Sequence, residues 1–289
     1  MTLTPGDRIV EELSRRSEGP VPDVIVEPDA ETLARAVAAA LVARLAAAQL
    51  VHGTASVVLT GGGVGTAVLR HVAGLAAEPA PGQDVDWTAV DVWWGDERFV
   101  PADDDERNEK GAREALLDRV GVPPERVHPM PASDAGFAEP EEAAEWYAGV
   151  LSDAARDSGA DGPLPRFDVL LLGMGPEGHV ASIFPHSPAA SDDRPVVAVR
   201  DCPKPPPTRV SLGFSAIGSA EEVWLLVAGE GKAEAVARAL GGADPLDVPA
   251  AGACGRRATR WLLDAAAASR LPGAADADGT GAGGPGTDG

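Results

Sequence analysis

Short apolar runs that alternate with alanine-rich segments constrain the fold of this chain more than any other sequence feature. Residues 56–60, 88–94 and 167–172 are rich in valine, leucine or tryptophan and are short enough to be buried strands. Segments of helical composition follow the first two runs, from about residue 66 and near residue 109. Strands that are buried on both faces are typical of parallel sheets. The pattern therefore predicts an α/β fold with a doubly wound, mainly parallel, modified Rossmann-like sheet and helices on both faces.

Other segments extend this pattern. Asp29 is predicted to cap a long helix that runs to about Leu50, and Pro140 suits the first turn of a helix ending near Asp157. Further strands are predicted at residues 24–27, 127–130, 195–201, 209–212 and 222–228, and a further helix at residues 230–240. Residues 1–270 are predicted to form a single α/β domain. The glycine-, alanine- and aspartate-rich tail at residues 271–289 lacks apolar periodicity and is predicted to be disordered.

The chain is strongly acidic, with a formal net charge of -21 over 289 residues. This charge disfavours nucleic acids and anionic membrane surfaces as partners, because both are negatively charged. No apolar run is expected to be long enough to cross a bilayer, and the N-terminus lacks the form of a signal peptide. Cys202 and Cys254 are too few for a disulfide framework. These features predict a cytoplasmic protein and leave open whether it is a monomer or a dimer.

Polar and glycine-rich segments follow three of the predicted strands. They are residues 61–65, residues 95–98 and residues 173–179. In open parallel sheets, ligands bind at the carboxyl ends of the strands, where the strand order reverses. We therefore expect these three segments to meet at one edge of the sheet and to form a binding site.

The segment at residues 173–185 carries the clearest chemical signal. Its glycines permit a tight turn, and His179 can change protonation state near neutral pH. The spacing of the glycines also matches the dinucleotide fingerprint G-x-G-x-x-G, with Asp201 as the acidic partner. Prolines interrupt the helix that this fingerprint requires, at Pro185, Pro188 and Pro195. No nicotinamide or flavin cofactor is therefore predicted, and the alternatives are an active-site base and a purely structural turn.

The glycine loop that contains Gly61, Gly62 and Gly63 is a candidate phosphate site. A glycine loop at a helix start presents free backbone N–H groups and the positive end of the helix dipole. No Lys-Ser/Thr pair follows, so the loop does not match a nucleoside-triphosphate loop. A tight turn without a ligand is the alternative interpretation.

Three basic residues are candidates for holding an anion. Arg98 follows a tryptophan-rich strand and suits bidentate contact with an anionic substrate, with Asp96 beside it to orient the arginine or a water. Lys204 and Arg209 lie on a stiff proline-rich segment, and Lys204 is one of the chain's few lysines, with Lys110 and Lys232. The alternative interpretation is a solvated charge cluster for Asp96 and Arg98, and a surface linker for the segment of Lys204 and Arg209.

No motif predicts a metal site or a serine hydrolase. The acidic run at residues 103–106 lacks the spacing of a calcium loop, and no third ligand accompanies His179 and His186. A nucleophile elbow, G-x-S-x-G, is also absent from the sequence.

Taken together, three segments resemble the 6-phosphogluconolactonase family. They are Trp-Gly-Asp-Glu-Arg-Phe-Val-Pro at residues 94–101 with Asn108, the glycine segment at residues 173–185, and Lys-Pro-Pro-Pro-Thr-Arg at residues 204–209. The similarity spans roughly residues 24–263 in order. The family belongs to a superfamily that also contains the glucosamine-6-phosphate deaminases.

The resemblance implies hydrolysis of 6-phospho-D-glucono-1,5-lactone to 6-phosphogluconate in the oxidative pentose phosphate pathway, without a metal or cofactor. His179 matches the family's catalytic histidine, which is expected to act as general base on the attacking water. Asp96, Arg98 and Lys204 match further positions of the family's site, where the cations are expected to engage the phosphate and the developing charge. Arg209 matches a motif position. The implied partner is a small sugar phosphate.

Three departures from the family pattern affect these expectations. The usual Ser-Gly-Gly-Ser-Thr-Pro loop reads Thr-Gly-Gly-Gly-Val-Gly at residues 60–65, so phosphate contact there rests on backbone amides. Glu177 replaces the more usual aspartate two residues before His179. The deaminase pattern Ala-Phe-Asn-Glu-Pro is replaced by Ala-Ser-Ile-Phe-Pro at residues 181–185, which favours the lactonase. An amino-sugar-phosphate deaminase or isomerase and a non-catalytic sugar-phosphate-binding protein stay as alternatives.

Overall fold

The strands form two sheets in the part of the chain that the computed structural model describes. That part is residues 22–272 without residues 81 and 83, so most of the predicted tail lies outside it. The strands are β1 Asp23–Glu27, β2 Ala55–Leu59, β3 Val90–Trp94, β4 Asp96–Arg98, β5 Val169–Gly173, β6 Val196–Val199, β7 Arg209–Leu212, β8 Glu222–Val227 and β9 Ala258–Asp264.

Helices connect most of these strands. They are α1 Ala30–His52, α2 Gly62–Ala77, α3 Asn108–Ala112, α4 Asp118–Val120, α5 Pro140–Asp157, α6 Phe214–Ile217, α7 Ala233–Leu240 and α8 Ala265–Ala268. A π-helical segment, Arg113–Leu117, joins α3 to α4. Asp29 caps α1 as predicted, since its carboxylate accepts a hydrogen bond from the Thr32 N–H at 2.7 Å.

The larger sheet has six parallel strands in the order β1-β9-β8-β5-β2-β3. This order confirms the predicted α/β fold. The chain runs outward from β2 to β3 and later returns to the other side of β2 with β5, β8 and β9. The direction of winding therefore switches between β2 and β5, which is where a doubly wound sheet binds its ligands. A second, antiparallel sheet of order β4-β7-β6 packs beside it.

Helices cover both faces of the six-stranded sheet, as the sequence predicted. On one face, α1 and α2 bury apolar side chains such as Leu41 and Leu69 against β2 and β3. On the other face, α5 packs Tyr147 and Leu151 near Trp93 of β3. Every residue of β2 and β8 is buried, which is the reason that these strands read as continuous apolar runs.

Helix α1 corrects the expectation that no segment is long enough to cross a bilayer. It has 23 residues and a mean hydropathy of 1.5 in its most apolar window, which meets the length and composition of a membrane span. Its buried residues, Leu33, Val37, Leu41 and Leu45 among them, pack into the core against the sheet. The apolar stripe of this helix is therefore accounted for by core packing.

Four local predictions differ from the structure. Strand β9 lies inside the sheet but was not predicted, and the strand expected at residues 127–130 is a single bridge between Val127 and Val92. Residues 87–89 form a 3-10 turn before β3, so that strand is shorter than expected. Helix α2 begins at Gly62, four residues earlier than predicted, because the glycine loop itself forms the first turn.

Candidate active site

A cavity of about 290 Å³ lies at the carboxyl edge of the six-stranded sheet. Segments that follow β2, β3, β5 and β8 line it, together with the proline-rich segment before β7. It contains every residue that the sequence predicted for the site: Gly61, Gly62, Gly63, Asp96, Arg98, His179, Lys204 and Arg209. The cavity therefore lies at the switch point between β2 and β5, on the one edge of the sheet where the sequence predicted a binding site.

His179 lies beside the carboxylate of Glu177. Its Nδ1 atom is 2.9 Å from Oε1 of Glu177, so an Nδ1–H donates to the carboxylate and leaves Nε2 as the free ring nitrogen. The ring also stacks on Phe184, with centroids 4.4 Å apart. These contacts fix the orientation of the ring, and they fit the requirements of a general base.

Gly175 provides the space for this pair. A Cβ atom at position 175 would lie 2.1 Å from Nδ1 of His179 and 2.7 Å from Oε2 of Glu177. The N–H of Gly175 also donates to the His179 carbonyl at 3.1 Å, which closes the turn. Gly178 has a φ of 88°, a conformation that favours glycine. The glycines of this segment therefore serve the geometry of the turn and the placement of the histidine.

Burial sets the protonation state of His179. The side chain is only 15% exposed, and the loss of solvation lowers its pKa below the ordinary 6.5, although Glu177 acts in the opposite direction. Lys204 adds to the lowering by its positive charge. The imidazole is consequently neutral near pH 7 and able to accept a proton.

Glu177 stays ionised beside the histidine. Burial works against its charge, but its own backbone N–H, His179 and Lys204 outweigh that effect and hold its pKa below the usual range. Its second oxygen, Oε2, accepts a hydrogen bond from Nζ of Lys204 at 3.2 Å. The predicted phosphate ligand Lys204 is thus also a partner of the histidine's carboxylate.

The amino end of helix α2 points its first residues into the cavity. Gly61 is the N-cap residue, and no side chain caps the N–H groups of the helix there. Gly62 and Gly63 form the first turn. Backbone N–H groups at such an end are donors for an anion. A Cβ atom at Gly61 would lie 1.9 Å from Oδ1 of Asn108, so only glycine allows this close packing.

Asp96 connects three segments of the site. Its Oδ2 atom accepts a hydrogen bond from the Ser182 hydroxyl at 2.7 Å and lies 3.7 Å from Nη1 of Arg209. Its backbone carbonyl accepts a hydrogen bond from Nδ2 of Asn108 at 2.8 Å. Both Asp96 and Arg209 are buried. These contacts make Asp96 a structural link between the loops that follow β3 and β5 and the strand β7.

Arg98 and Arg209 are held mainly by neighbouring oxygens. Arg98 donates from Nη1 to Oδ1 of Asn108 at 2.8 Å and to the Glu106 carbonyl. Arg209 donates to the carbonyls of Pro206 at 3.1 Å and of Lys204 at 3.2 Å. Arg209 therefore fixes the segment that carries Lys204, while both guanidinium groups still line the cavity.

Sequence reasoning missed Lys232 as a site residue. It lies in a 3-10 turn after β8 and lines the cavity together with the other cations. Burial, and then the charge of Lys204, lower its pKa. The signal was present, because the turn Gly-Glu-Gly-Lys at residues 229–232 follows a strand as the other site segments do.

Positive charge dominates the cavity although the chain as a whole is acidic. Among the described residues that line it, Arg98, Lys204, Arg209 and Lys232 are cationic and Asp96 is the acidic one. Such a cavity suits an anionic ligand. In the described part of the chain, no group of three or more His, Cys, Asp or Glu residues is arranged to hold a metal ion.

Comparisons with known proteins agree with this geometry. A family model described as glucosamine-6-phosphate isomerases/6-phosphogluconolactonase matches residues 28–261. The 6-phosphogluconolactonase of Mycobacterium tuberculosis is 53% identical over 247 residues, which cover 85% of this chain and 96% of that protein. The 6-phosphogluconolactonase of Streptomyces coelicolor is 51% identical over 253 residues, which cover 87% and 95%.

Solved structures show the same fold. The 6-phosphogluconolactonase of Trypanosoma brucei has a TM-score of 0.70 and 29% identity, over 86% of this chain and 98% of that chain. The enzyme of that name from Thermotoga maritima has a TM-score of 0.69 and 27% identity, over 84% and 99%. A monomeric glucosamine-6-phosphate deaminase, 20% identical with a TM-score of 0.64, is similar in fold alone.

Proposed function

This chain belongs to the glucosamine-6-phosphate isomerase/6-phosphogluconolactonase family, and we propose that it hydrolyses 6-phospho-D-glucono-1,5-lactone to 6-phospho-D-gluconate with His179 as general base. The observation that carries this proposal is the pairing of His179 with Glu177 at 2.9 Å beside a cation-lined cavity. High identity to curated lactonases over most of the chain supports the substrate.

The first step is attack of water on the lactone carbonyl. Nε2 of neutral His179 accepts a proton from the water as its oxygen bonds to C1, and the carbonyl becomes a tetrahedral oxyanion. The positive charge that forms on the imidazole is stabilised by Glu177, which accepts the Nδ1–H. General base catalysis of this kind typically contributes about 10²–10⁴-fold.

Collapse of the intermediate opens the ring. The bond between C1 and the ring oxygen breaks, and the leaving C5 oxygen takes the proton from Nε2 of His179. The products are the carboxylate of 6-phosphogluconate, after loss of its acidic proton to solvent, and a neutral imidazole. No other group of the protein needs to gain or lose a proton, so one histidine is sufficient for both transfers.

The phosphate of the substrate anchors the sugar. The free N–H groups at Gly61, Gly62 and Gly63 and the side chains of Arg98 and Lys204 are the proposed donors. Lys232 adds a further cation on the side of β8. Anchoring at one end of the sugar holds C1 near the histidine and converts the attack into a reaction of oriented groups.

Asp96 and Arg209 are proposed to position this machinery. Asp96 fixes Ser182, three residues after His179, and Arg209 fixes the backbone of Lys204. The direct role of Asp96 on a catalytic water, predicted from the sequence, stays a proposal. A monomer and a dimer are both compatible with this site, which is built from one chain.

The decisive experiment is the initial rate of lactone consumption, measured with freshly generated lactone against its spontaneous hydrolysis. We expect His179→Ala to lose at least about 10²-fold in kcat. His186→Ala is the matched control, because His186 is exposed and pairs with Asp247 at 3.1 Å. Activity of His179→Ala equal to that of the control would refute the base assignment.

The same preparation discriminates the rival functions. Ammonia release from glucosamine 6-phosphate without lactone hydrolysis would identify a deaminase. Binding of 6-phosphogluconate without turnover of either substrate would identify a sugar-phosphate-binding protein. We expect lactone hydrolysis alone.

A further inference from the structure

One carboxylate connects a lysine to the proposed catalytic histidine. Oε1 of Glu177 lies 2.9 Å from Nδ1 of His179, and Oε2 accepts from Nζ of Lys204 at 3.2 Å. We infer that Lys204 is a positioning residue of the reaction, which acts through Glu177 to set the proton affinity of His179. The inference rests on the proposed function for its purpose, but the contacts that carry it are present without substrate.

The length of the Glu177 side chain is essential to this arrangement. The resemblance to the family leads one to expect an aspartate at this position, and an aspartate is one methylene, or about 1.5 Å, shorter. A shorter side chain cannot keep both contacts without movement of the turn or of the lysine segment. The glutamate thus allows Lys204 to share the carboxylate that orients the base.

Lys204 is held in place to make this contact. Its carbonyl accepts a hydrogen bond from the buried guanidinium of Arg209 at 3.2 Å, which fixes the start of the side chain. The neighbouring prolines at 203, 205, 206 and 207 stiffen the segment. The lysine side chain itself is 41% exposed, so its ammonium group lies at the wall of the cavity, close to Glu177.

The sign of the effect follows from the charges around the ring. His179 faces the carboxylates of Glu177 and Asp96, which favour its protonation, and the cation of Lys204, which opposes it. Lys232 faces Lys204 and Glu177 from the turn after β8. Removal of Lys204 takes away the opposing charge and leaves Glu177 to His179 alone. Both changes make protonation of the imidazole more favourable.

This effect serves a general base in a carboxylate-rich protein. A histidine paired with an unshared carboxylate holds its proton more tightly, and a protonated ring cannot accept the proton of the attacking water. A lysine that shares the carboxylate preserves the orientation of the ring and keeps it neutral. Lys204 therefore has a role in catalysis that is separate from any contact with the phosphate.

The test is an NMR titration of His179 in the ligand-free protein, with the resonance assigned by His179→Gln. We expect Lys204→Met to increase the proton-binding constant of His179 by roughly threefold or more. Lys110→Met removes the same charge from a lysine that pairs with Asp105, and we expect it to leave His179 unchanged. In a Glu177→Gln background, Lys204→Met is expected to have a smaller effect than in the wild type, because only the direct charge of the lysine is then removed.

Two results would overturn the inference. One is an unchanged titration of His179 in Lys204→Met. The other is an equal shift in the wild-type and Glu177→Gln backgrounds, which would mean that the lysine acts only directly through space and not through Glu177. Glu177→Asp gives a second route if Lys204→Met does not fold. It is expected to raise the proton affinity of His179 as the lysine variant does, and an unchanged proton affinity in Glu177→Asp would overturn the inference in the same way.

Kinetics separate this role from phosphate binding. A lysine that only binds phosphate changes KM and leaves the pH at which kcat/KM falls on the acidic side unmoved. We expect Lys204→Met to move that fall to higher pH as well. Because the titration needs no substrate, a protein that fails to hydrolyse the lactone but shows the coupling would refute the proposed function and not this inference.

Discussion

Substitution of Gly175 by alanine tests the placement of the proposed catalytic histidine, His179, with a single methyl group. The added Cβ atom would lie 2.1 Å from Nδ1 and 2.2 Å from Cε1 of His179. Carbon atoms in ordinary contact are about 3.5–4.0 Å apart, so the ring must retreat by more than about 1 Å. The backbone at Gly175 does not have a positive φ, so an alanine can adopt it without strain. The effect therefore comes from crowding of the histidine and Glu177.

The expected magnitude follows from the geometry. A displacement of about 1 Å at a reacting group costs on the order of 10²-fold in rate. Loss of the whole contribution of a general base costs about 10²–10⁴-fold. We therefore expect Gly175→Ala to lower kcat for lactone hydrolysis by about 10²-fold or more. The change in KM is expected to be smaller, because the proposed phosphate donors lie in other segments.

The measurement is a steady-state assay with freshly generated lactone, accompanied by a thermal unfolding curve. Gly74→Ala is the control, since a Cβ atom there meets no atom within 4 Å. In the interior of helix α2 it is expected to stabilise the protein by about 0.5–1 kcal/mol and to leave kcat unchanged. A folded Gly175→Ala protein with wild-type kcat would refute either the position of the ring or its role as base.

Three further predictions concern the same cavity. Burial lowers the pKa of His179, and the neutral ring is the proposed active form, so kcat/KM is expected to fall as the pH decreases, with a midpoint below 6.5. A midpoint above 6.5 in a pH–rate profile would contradict this. Asp96→Asn weakens the contacts with Ser182 and Arg209 and is expected to lower the free energy of unfolding by about 1–3 kcal/mol. Urea denaturation measures this, and a variant as stable as the wild type would contradict the prediction. Lys232→Met is expected to raise KM several-fold with little change in kcat, and an unaltered KM would remove Lys232 from the phosphate site.

The sequence predicted most of the fold because its signals are local. Continuous apolar runs identify β2, β5 and β8, and the cap at Asp29 marks the start of α1. Strand β9 was not predicted, because Arg260 interrupts its apolar pattern. In the structure that arginine lies over the ring of Trp224 and 3.4 Å from Glu222, both on the neighbouring strand β8. Only the register of the two strands explains a charged residue there.

The start of helix α2 was predicted too late in the sequence for a different reason. Glycine has low helix propensity, so residues 61–65 predict a loop. In the first turn of a helix, however, the backbone N–H groups have no partner within the helix and can bind a ligand, so helix propensity matters less there. The glycines are also required by close packing. A Cβ atom at Gly65 would lie 2.7 Å from the carbonyl of Thr60. The loop and the helix start are therefore one feature.

The members of the candidate site could be predicted, but their mutual contacts could not. Ligands of parallel sheets bind at the carboxyl ends of the strands, and this rule predicts that His179, Asp96 and the glycine loop lie close together. In the structure all of them line one cavity. The hydrogen bond from Ser182 to Asp96 joins residues 86 positions apart, and that from Lys204 to Glu177 joins residues 27 positions apart. Such pairs depend on the packing of the small antiparallel sheet against the large one, for which single-sequence patterns give no register.

The contrast between an acidic protein and a cationic cavity gives a last prediction. The formal net charge of -21 repels a phosphorylated substrate at long range, while Arg98, Lys204 and Lys232 attract it at close range. Salt screens charges that are separated by more than about 10 Å at 0.1 M ionic strength, and it screens partly buried contacts much less. Added salt therefore removes the repulsion first, and kcat/KM is expected to rise between about 10 and 100 mM ionic strength.

Initial rates at low substrate concentration measure this, with a neutral osmolyte as the control for viscosity. A monotonic fall over this range would mean that the field of the cavity cations, and not the net charge, governs the approach of the substrate.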